Sequence, residues 1–343
     1  MQKKRQDGRV TLRDIAKATG YTVNTVSRAL NNKPDISRET SLKIQQAARE
    51  AGYIRNWMAG SLRTGRSNTI AVIVGDLSNP FFALMVADIE AAATEFGYTV
   101  IVLCTHEEQK TEENAIRVAI GRQVDGILLC PCQGSDESLN ILNASGLPYV
   151  LLSRHFNRAD TDALVCDEVR GGYLATSHLI SAGHRKLIFL TSFDRVSGIA
   201  ERRVGFLQAI AEHGIHEEDH ITFHHEEDAQ TADFLAEKMK EGFTGVFAFC
   251  DMLAWTVTSR LEQLGIRVPE QLSFTGYDNI QGRLGFPFPL CTVDGSLTDI
   301  CRGSVHLLDQ KINRAEKGEG LSVFPVSMVC RGSCNAQGRV QST

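Results

Sequence analysis

Apolar positions recur at helical spacing in three short stretches near the amino terminus, and then change character to continuous runs alternating with amphipathic segments. Leu12, Ile15 and Ala16 make the first stripe, one face of a helix with a 3.6-residue period. Thr11 supplies a hydroxyl for the first-turn N–H groups, and Asp14 puts negative charge near the positive end of the helix. Thr19-Gly20 stops it, because Gly20 takes the left-handed conformation of a tight turn without a Cβ penalty. Thr22 caps a second helix whose inward residues are Val26, Ala29 and Leu30. Ser37 caps a third, running to about Ala51, with Leu42, Ile44, Ala47 and Ala48 toward the same small core. Two short helices joined by a glycine-containing turn have the form of a helix-turn-helix.

From Asn68 onward the pattern is strand, helix, strand. Apolar runs at 69–74, 99–103, 125–130, 163–166, 186–190, 245–250 and 272–275 alternate with amphipathic segments such as 82–96 and 111–121. Continuous apolar strands separated by helices predict parallel sheets covered on both faces. About ten strands over about 275 residues suit two doubly wound lobes better than one oversized sheet. The expected division is 1–54 for the helical domain, 55–67 for a hinge and linker, 68–334 for the α/β domain and 335–343 for a polar tail.

Charge separates the same two parts. Residues 1–66 hold fourteen Lys/Arg and five Asp/Glu, a net +9, whereas the whole 343-residue chain carries −5, leaving −14 downstream. A basic end on an acidic body implies that only the small end meets a polyanion. No run approaches the roughly 18 apolar residues of a membrane span. No apolar signal-peptide core follows the basic first ten residues, so a cytoplasmic location is expected. The nine cysteines are then expected to be free thiols. Neither Cys130-Pro-Cys132 nor Cys330-x-x-x-Cys334 has a second half-site at zinc-ligand spacing along the sequence. His224-His225-Glu226-Glu227 is no better, since adjacent strand residues point to opposite faces. No metal or cofactor is expected.

The outward face of the second helix presents Val23, Asn24, Thr25, Ser27 and Arg28. Its first residues are placed to meet base edges, and Arg28 to fork onto guanine. Thr25, Ser27 and Asn31 are short polar residues suited to phosphate oxygens. The run from Val10 through Gly52-Tyr53, with its D-I-A, T-V-S-R and G-Y elements, resembles the amino terminus of LacI/GalR (lac repressor) family transcription regulators. That resemblance implies base readout by Val23, Asn24 and Arg28, and backbone contacts from Thr11, Thr25, Ser27 and Asn31. It also implies a hinge helix over 56–62, with Asn56, Ala59 and Leu62 at the DNA and Leu62 wedged into the minor groove. A seven-residue helix containing Gly60 is far below the about 12–15 residues at which an isolated helix is marginal in water. It is therefore expected to form only against DNA and a second copy.

Ligands of doubly wound sheets bind beyond the carboxyl ends of the strands. Those ends carry Asp76 to Phe82, Ser153-Arg154-His155, Asp251 and Tyr277-Asp278-Asn279, with Arg202 in the helix after the 186–190 run. Aromatic, Arg, Asp and hydroxyl groups suit a sugar or another polar metabolite. The segments SNPFF, VDGILL, SAGHRKLIFLTS, ERRVGF and SFTGYDN are similar to the same family's effector domain. The resemblance assigns effector contact to Phe81, Phe82, Ser153, Arg154, Arg202, His225 and Asp278, to which the strand-end rule adds Asp251. It implies an all-α helix-turn-helix domain followed by a two-lobed, periplasmic-binding-protein-like α/β domain of parallel sheets. The implied function is a homodimeric repressor of operator DNA, controlled by a small molecule, not an enzyme and not a membrane protein. The polar tail lacks leucine heptads, which favours a dimer over a larger assembly. A solute receptor for transport would explain residues 68–330 but not the basic helical end. No nucleophile or phosphate-loop motif supports an enzyme.

Overall fold

The computed structural model describes residues 10–54, 65–158, 160–192, 195–285, 288–314 and 320–335, which fall into two compact units, Met1–Ser67 and Asn68–Thr343. The first holds α1 (Leu12–Thr19), α2 (Val23–Leu30) and α3 (Arg38–Glu50). Each begins where a side chain settles the helix end. Thr22 accepts from the Thr25 N–H and Ser37 from the Thr40 N–H, while Gly20 closes α1 at φ 77°. Ile15, Ala16, Val26, Ala29, Ile44 and Ala48 form the core. Leu42, expected in it, is 54% exposed. At about 100° per residue it lies roughly 200° around α3 from Ile44, on the far face. Asn56, Ala59 and Leu62 of the expected hinge lie outside the described residues, as does the tail from 336.

The second unit contains two six-stranded sheets among the described residues. The first comprises β1 (Thr69–Val74), β2 (Thr99–Cys104), β3 (Gly126–Leu129), β4 (Tyr149–Leu152), β5 (Ala163–Cys166) and β11 (Leu321–Phe324). The second comprises β6 (Leu187–Thr191), β7 (His220–His224), β8 (Gly245–Ala248), β9 (Ser273–Tyr277), β10 (Cys291–Asp294) and β12 (Ser327–Val329). The orders are β11-β5-β4-β3-β1-β2 and β12-β10-β9-β8-β6-β7. Numbered within each lobe, both read 2-1-3-4-5 with one late strand added at the edge, the doubly wound order with its switch point between the first and third strands. All neighbours are parallel except β10 with β12. Seven of the twelve strands carry the apolar runs named from sequence; β4, β7 and β10 bring the number to about the expected ten, and the late edges β11 and β12, where burial is partial and the apolar signal weak, lie beyond it.

Helices α4 (Pro80–Glu95), α5 (Gln109–Gly121) and α6 (Glu137–Ser145) follow strands of the first lobe. Helices α8 (Ser197–Glu212), α9 (Asp228–Lys240) and α10 (Asp251–Gln263) follow strands of the second. Two helices lie across from the strand that precedes them. α7 (Glu168–Ser181) leaves β5 and packs on β8, β9, β10 and β12, and α11 (Leu297–Arg314) leaves β10 and packs on β3, β4, β5 and α4. The chain therefore crosses between lobes three times, at Asp167, at Gly295-Ser296 and at Pro325-Val326. The crossings are tied together: Asp167 N–H donates to the Phe324 carbonyl at 2.9 Å and Ser296 Oγ to the Pro325 carbonyl at 2.7 Å. Helices α7 and α8 meet backbone to backbone, since a Cβ on Gly172 would stand 2.1 Å from the Arg202 carbonyl oxygen and one on Gly205 2.0 Å from that of Val169.

Candidate functional site

On the helical unit, Val23 is 42% exposed and Asn24 is exposed at the start of α2. Arg28 forks onto Asp35, with Nε to Oδ2 and Nη2 to Oδ1 both at 2.6 Å. The mutual hydrogen bond raises the Arg28 pKa and lowers that of Asp35. Both groups face water, so the pair is weak, and a guanine edge offers the same bidentate geometry. Asp35 thus occupies the fork that base contact would need. The remaining polar candidates are set by helix-end bonds. Thr25 Oγ1 lies 2.9 Å from Thr22 Oγ1, Asn31 Nδ2 donates to the Ser27 carbonyl at 2.5 Å, and Thr11 gives its N–H and hydroxyl to Asp14 at 2.8 and 2.7 Å.

In the α/β unit, the end of β1 is folded by its own side chains. Asp76 accepts from Ser78 N–H and Oγ at 2.8 and 2.7 Å, Asn79 Oδ1 accepts from Phe81 N–H at 3.0 Å, and Pro80 opens α4. This sets Phe81 and Phe82 edge to face, 5.4 Å apart. Phe82 is buried in the core, whereas half-buried Phe81 touches two apolar clusters. Behind them Arg154 donates to both oxygens of Glu107 at 2.7 and 2.9 Å and to the Pro131 carbonyl at 2.9 Å. Gly75 makes room: a Cβ there would meet Glu107 Oε1 at 2.3 Å. Ser153, beside Arg154, is half-buried at φ 64°.

The second lobe supplies a buried ionic cluster. Arg202 Nε and Nη2 donate to Glu168 at 2.6 and 3.1 Å, Nη1 donates to the Phe249 carbonyl at 2.5 Å, and Nη2 stands 3.8 Å from Asp278. Its guanidinium carbon sits 3.5 Å above the centre of the Tyr277 ring, a cation–π contact. Burial pushes the Asp278 carboxyl up, against the pull of Arg202. Asp278 also holds φ at 103°, strained for a residue with a Cβ and characteristic of functional sites.

Two further candidates have structural work instead. Asp251 is fully buried, accepting from Thr292 Oγ1 at 2.6 Å and from Ile280 N–H at 3.0 Å. His225 bonds Thr231 Oγ1 at 2.8 Å and faces Asp228 at 3.5 Å, both in the first turn of α9.

The sequence reading placed His155 at a strand end without a role and missed its partners Glu201, Gln133 and Ser197, which join the lobes. His155 Nε2 meets Glu201 of α8 at 2.7 Å, and that bond raises the histidine pKa. Gln133 donates to the His155 carbonyl and accepts from Ser197 N–H, at 2.5 and 2.7 Å. Glu107 and Glu168 were missed as well. Among the described residues, the buried hydroxyls of Thr191 and Ser192, at the carboxyl end of β6, have no hydrogen-bond partner. All of these lie just past a strand end or in the helix that follows, where the strand-end rule directs attention.

Comparison with known proteins agrees with both units. The profile of bacterial regulatory proteins of the lacI family matches residues 11–56. That of periplasmic binding proteins and the sugar binding domain of the LacI family matches 67–321. The transcriptional regulator DegA of Bacillus subtilis is 31% identical over 332 residues, 95% of this chain and 98% of its own. The repressor PurR of Aliivibrio salmonicida is 30% identical, covering 88% and 92%. Among solved structures, a LacI family regulator from Enterococcus faecium with bound ribose is 29% identical with a TM-score of 0.70, over 78% of this chain and 99% of that one. The lac repressor dimer bound to operator and the anti-inducer ONPF shares the fold at a TM-score of 0.81 and 23% identity, over 96% and 100%. With its three-helix unit, its paired 2-1-3-4-5 sheets and these relatives, the chain belongs to the LacI family of bacterial transcription regulators.

Proposed function

We propose that this regulator is a cytoplasmic homodimeric repressor that grips a pseudo-palindromic operator and is controlled by a neutral, hydroxyl-rich effector. The observation that carries the proposal is the pairing, in one chain, of an exposed reading helix with charge-compensated clusters at the carboxyl ends of the strands in two lobes. Val23, Asn24 and Arg28 read bases, while Thr11, Thr25, Ser27 and Asn31 hold the backbone. Residues 55–67 serve as hinge and linker between the DNA-reading part at 1–54 and the effector-binding and dimerisation part at 68–334, with a polar tail at 335–343. Asn56, Ala59 and Leu62 meet the minor groove. A dimer fits the lac repressor's assembly on its operator.

The cleft's ion pairing bears on the effector's class. Arg154 is neutralised by Glu107, and Arg202 by Glu168 with Asp278 alongside. Neither paired arginine leaves a spare positive charge for an anion, and exposed Arg195 is a further cation beside them, donating to the Glu107 carbonyl at 3.5 Å; at the two buried clusters a sugar or related polyol fits better than a phosphorylated or acidic ligand. Phe81 offers an apolar face, and Ser153, Thr191, Ser192 and Asp278 offer hydroxyl and carboxyl partners. The ribose-bound relative is consistent with that class. The effector shifts the balance between two lobe arrangements through the three crossings. Only its different affinity for the two states does this, typically worth about 1–3 kcal/mol of coupling.

A thermal-shift screen of neutral sugars, followed by operator mobility shifts over a salt series, tests the proposal. A ligand at a hundred times its Kd is expected to stabilise the fold by about 2.7 kcal/mol and to change operator affinity. Failure to retain any operator-like DNA, with no salt dependence, would remove the DNA reading. Stabilisation by anionic metabolites alone would remove the neutral-effector reading.

A further inference from the structure

Three metal-ligating side chains meet in the second lobe, and a fourth, Cys330, lies against two of them. They come from three places: His178 in the last turn of α7, Cys291 at the first position of β10, and Cys330 and Cys334 just after β12. The antiparallel register that sets Thr292 against Val329 brings Cys291 opposite Cys330. Their sulfurs are 3.6 Å apart, and Cys330 Sγ is 3.3 Å from His178 Nε2. The ligand atoms of His178, Cys291 and Cys334 all lie within 4.8 Å of one another. The half-site that Cys330-x-x-x-Cys334 lacks along the sequence is therefore supplied by the fold, 152 residues away in the case of His178.

From these residues we propose a structural zinc site in which His178, Cys291, Cys330 and Cys334 hold one Zn²⁺ tetrahedrally. With Zn–S near 2.3 Å and Zn–N near 2.0 Å, a tetrahedron places its sulfurs about 3.8 Å apart and each sulfur about 3.5 Å from the nitrogen. Two of the six edges, at 3.6 and 3.3 Å, fall within a few tenths of those values, and the three edges among His178, Cys291 and Cys334 are each at most 4.8 Å, so the cluster closes by small side-chain shifts on binding. Three thiolates and an imidazole are the donor set of a closed zinc site, with no coordination position left for catalysis. The surroundings favour thiolate. Backbone N–H groups of Arg331 and Gly332 both donate to Cys291 Sγ at 3.3 Å. Zinc binding releases the thiol protons, and Cys334 gives up its 3.1 Å bond to the Phe274 carbonyl.

Position gives the site its role. Cys291 begins β10, so the cluster sits at the opposite end of that strand from Asp294 and the crossing at Gly295. The ion would clamp the segment 330–335 and the short antiparallel strand β12 onto α7. It would thus fix the sheet edge that faces away from the effector.

The test uses the full chain, purified under reducing conditions and reconstituted with Zn²⁺ alone. One zinc per chain is expected to survive gel filtration. Exchange with Co²⁺ is expected to give tetrahedral d–d bands and a thiolate-to-cobalt charge-transfer band. Cys330→Ser with Cys334→Ser, at the surface-proximal side of the cluster, is expected to lose both while far-UV circular dichroism stays unchanged. His178→Ala provides a second variant and is expected to weaken cobalt retention. A reduced, folded chain that takes up neither metal would overturn the site. So would a cobalt spectrum without the charge-transfer band, or a double cysteine variant that keeps its full metal load. A Cys291–Cys330 disulfide found by peptide mapping of the reconstituted protein would overturn it in favour of a redox pair.

Discussion

Glu168→Ala isolates the interaction on which the second lobe's cleft is built. Glu168 is the first residue of α7, immediately after a lobe crossing, and its side chain is only 2% exposed; the Arg202 side chain is 9% exposed. The substitution deletes two charge-assisted bonds of 2.6 and 3.1 Å. It leaves a guanidinium that cannot lose its proton, with Asp278 at 3.8 Å as the nearest anion. Breaking one side of a buried pair costs about 3–5 kcal/mol, because the surviving charge stays out of water without compensation. That is a large share of the about 5–15 kcal/mol that holds a typical fold together. Urea unfolding followed by circular dichroism is expected to show a midpoint lowered by about 1 M or more at unchanged slope. Glu168→Met combined with Arg202→Met removes both charges and is expected to recover most of the loss. A Glu168→Ala cost below about 1 kcal/mol, the value of an exposed pair, would refute the reasoning, as would a double variant no more stable than the single.

Arg28→Ala is expected to reduce discrimination between an operator and its scrambled version by about 1–3 kcal/mol, measured as a ratio of Kd values by anisotropy; unchanged discrimination would remove Arg28 from base readout. Gly172→Ala is expected to lower Tm through overpacking of about 1–3 kcal/mol or more, since the obstructing atoms belong to the backbone of Arg202; a wild-type melt would show that α7 and α8 separate freely. For His155 the sign follows from its raised pKa. The bond to Glu201 contributes fully below the unfolded value near about 6.5 and fades as pH rises through the higher folded value. The Tm gap between wild type and His155→Gln is therefore expected to be widest near about pH 5 and to close toward about pH 9; a gap that widens with pH would contradict the assignment. Asp251, pushed up to about 7 by burial, acts in the same direction but is common to both proteins and cancels in the difference.

Helix ends and central strands were legible because each is written locally. Thr22, Ser37 and Gly20 mark the boundaries of the helical unit, and Thr69–Val74 and Ala163–Cys166 match their apolar runs residue for residue. Leu42 was misplaced because a leucine beside the stripe looks apolar enough to belong, whereas helical phase decides the matter. The edges β11 and β12 were faint because half-exposed strands alternate weakly and owe their place to partners far along the chain. The same distance hid much of the site. Arg154 and Arg202 stood out by residue type, but their counter-ions Glu107 and Glu168 sit 47 and 34 residues away. Asp251 had the right type and place in sequence, yet its carboxylate turns back to hold the Ile280 N–H. Cys330 and Cys334 were visible as a local pair, but Cys291 and His178 looked unrelated to it for the same reason: their proximity exists only after β10 and β12 pair and α7 packs on them.

The late edge strands also set an order of events during synthesis. Each lobe's sheet is completed by a segment from the last part of the chain, β11 for the first and β12 for the second. The helical unit needs nothing beyond its own first residues to bury Ile15, Val26 and Ile44. Domains generally fold as units in the order they leave the ribosome. A newly made chain can thus close its helical unit while both sheets of the α/β unit still lack an edge strand, so the last strands to be synthesised are the ones that finish the larger unit.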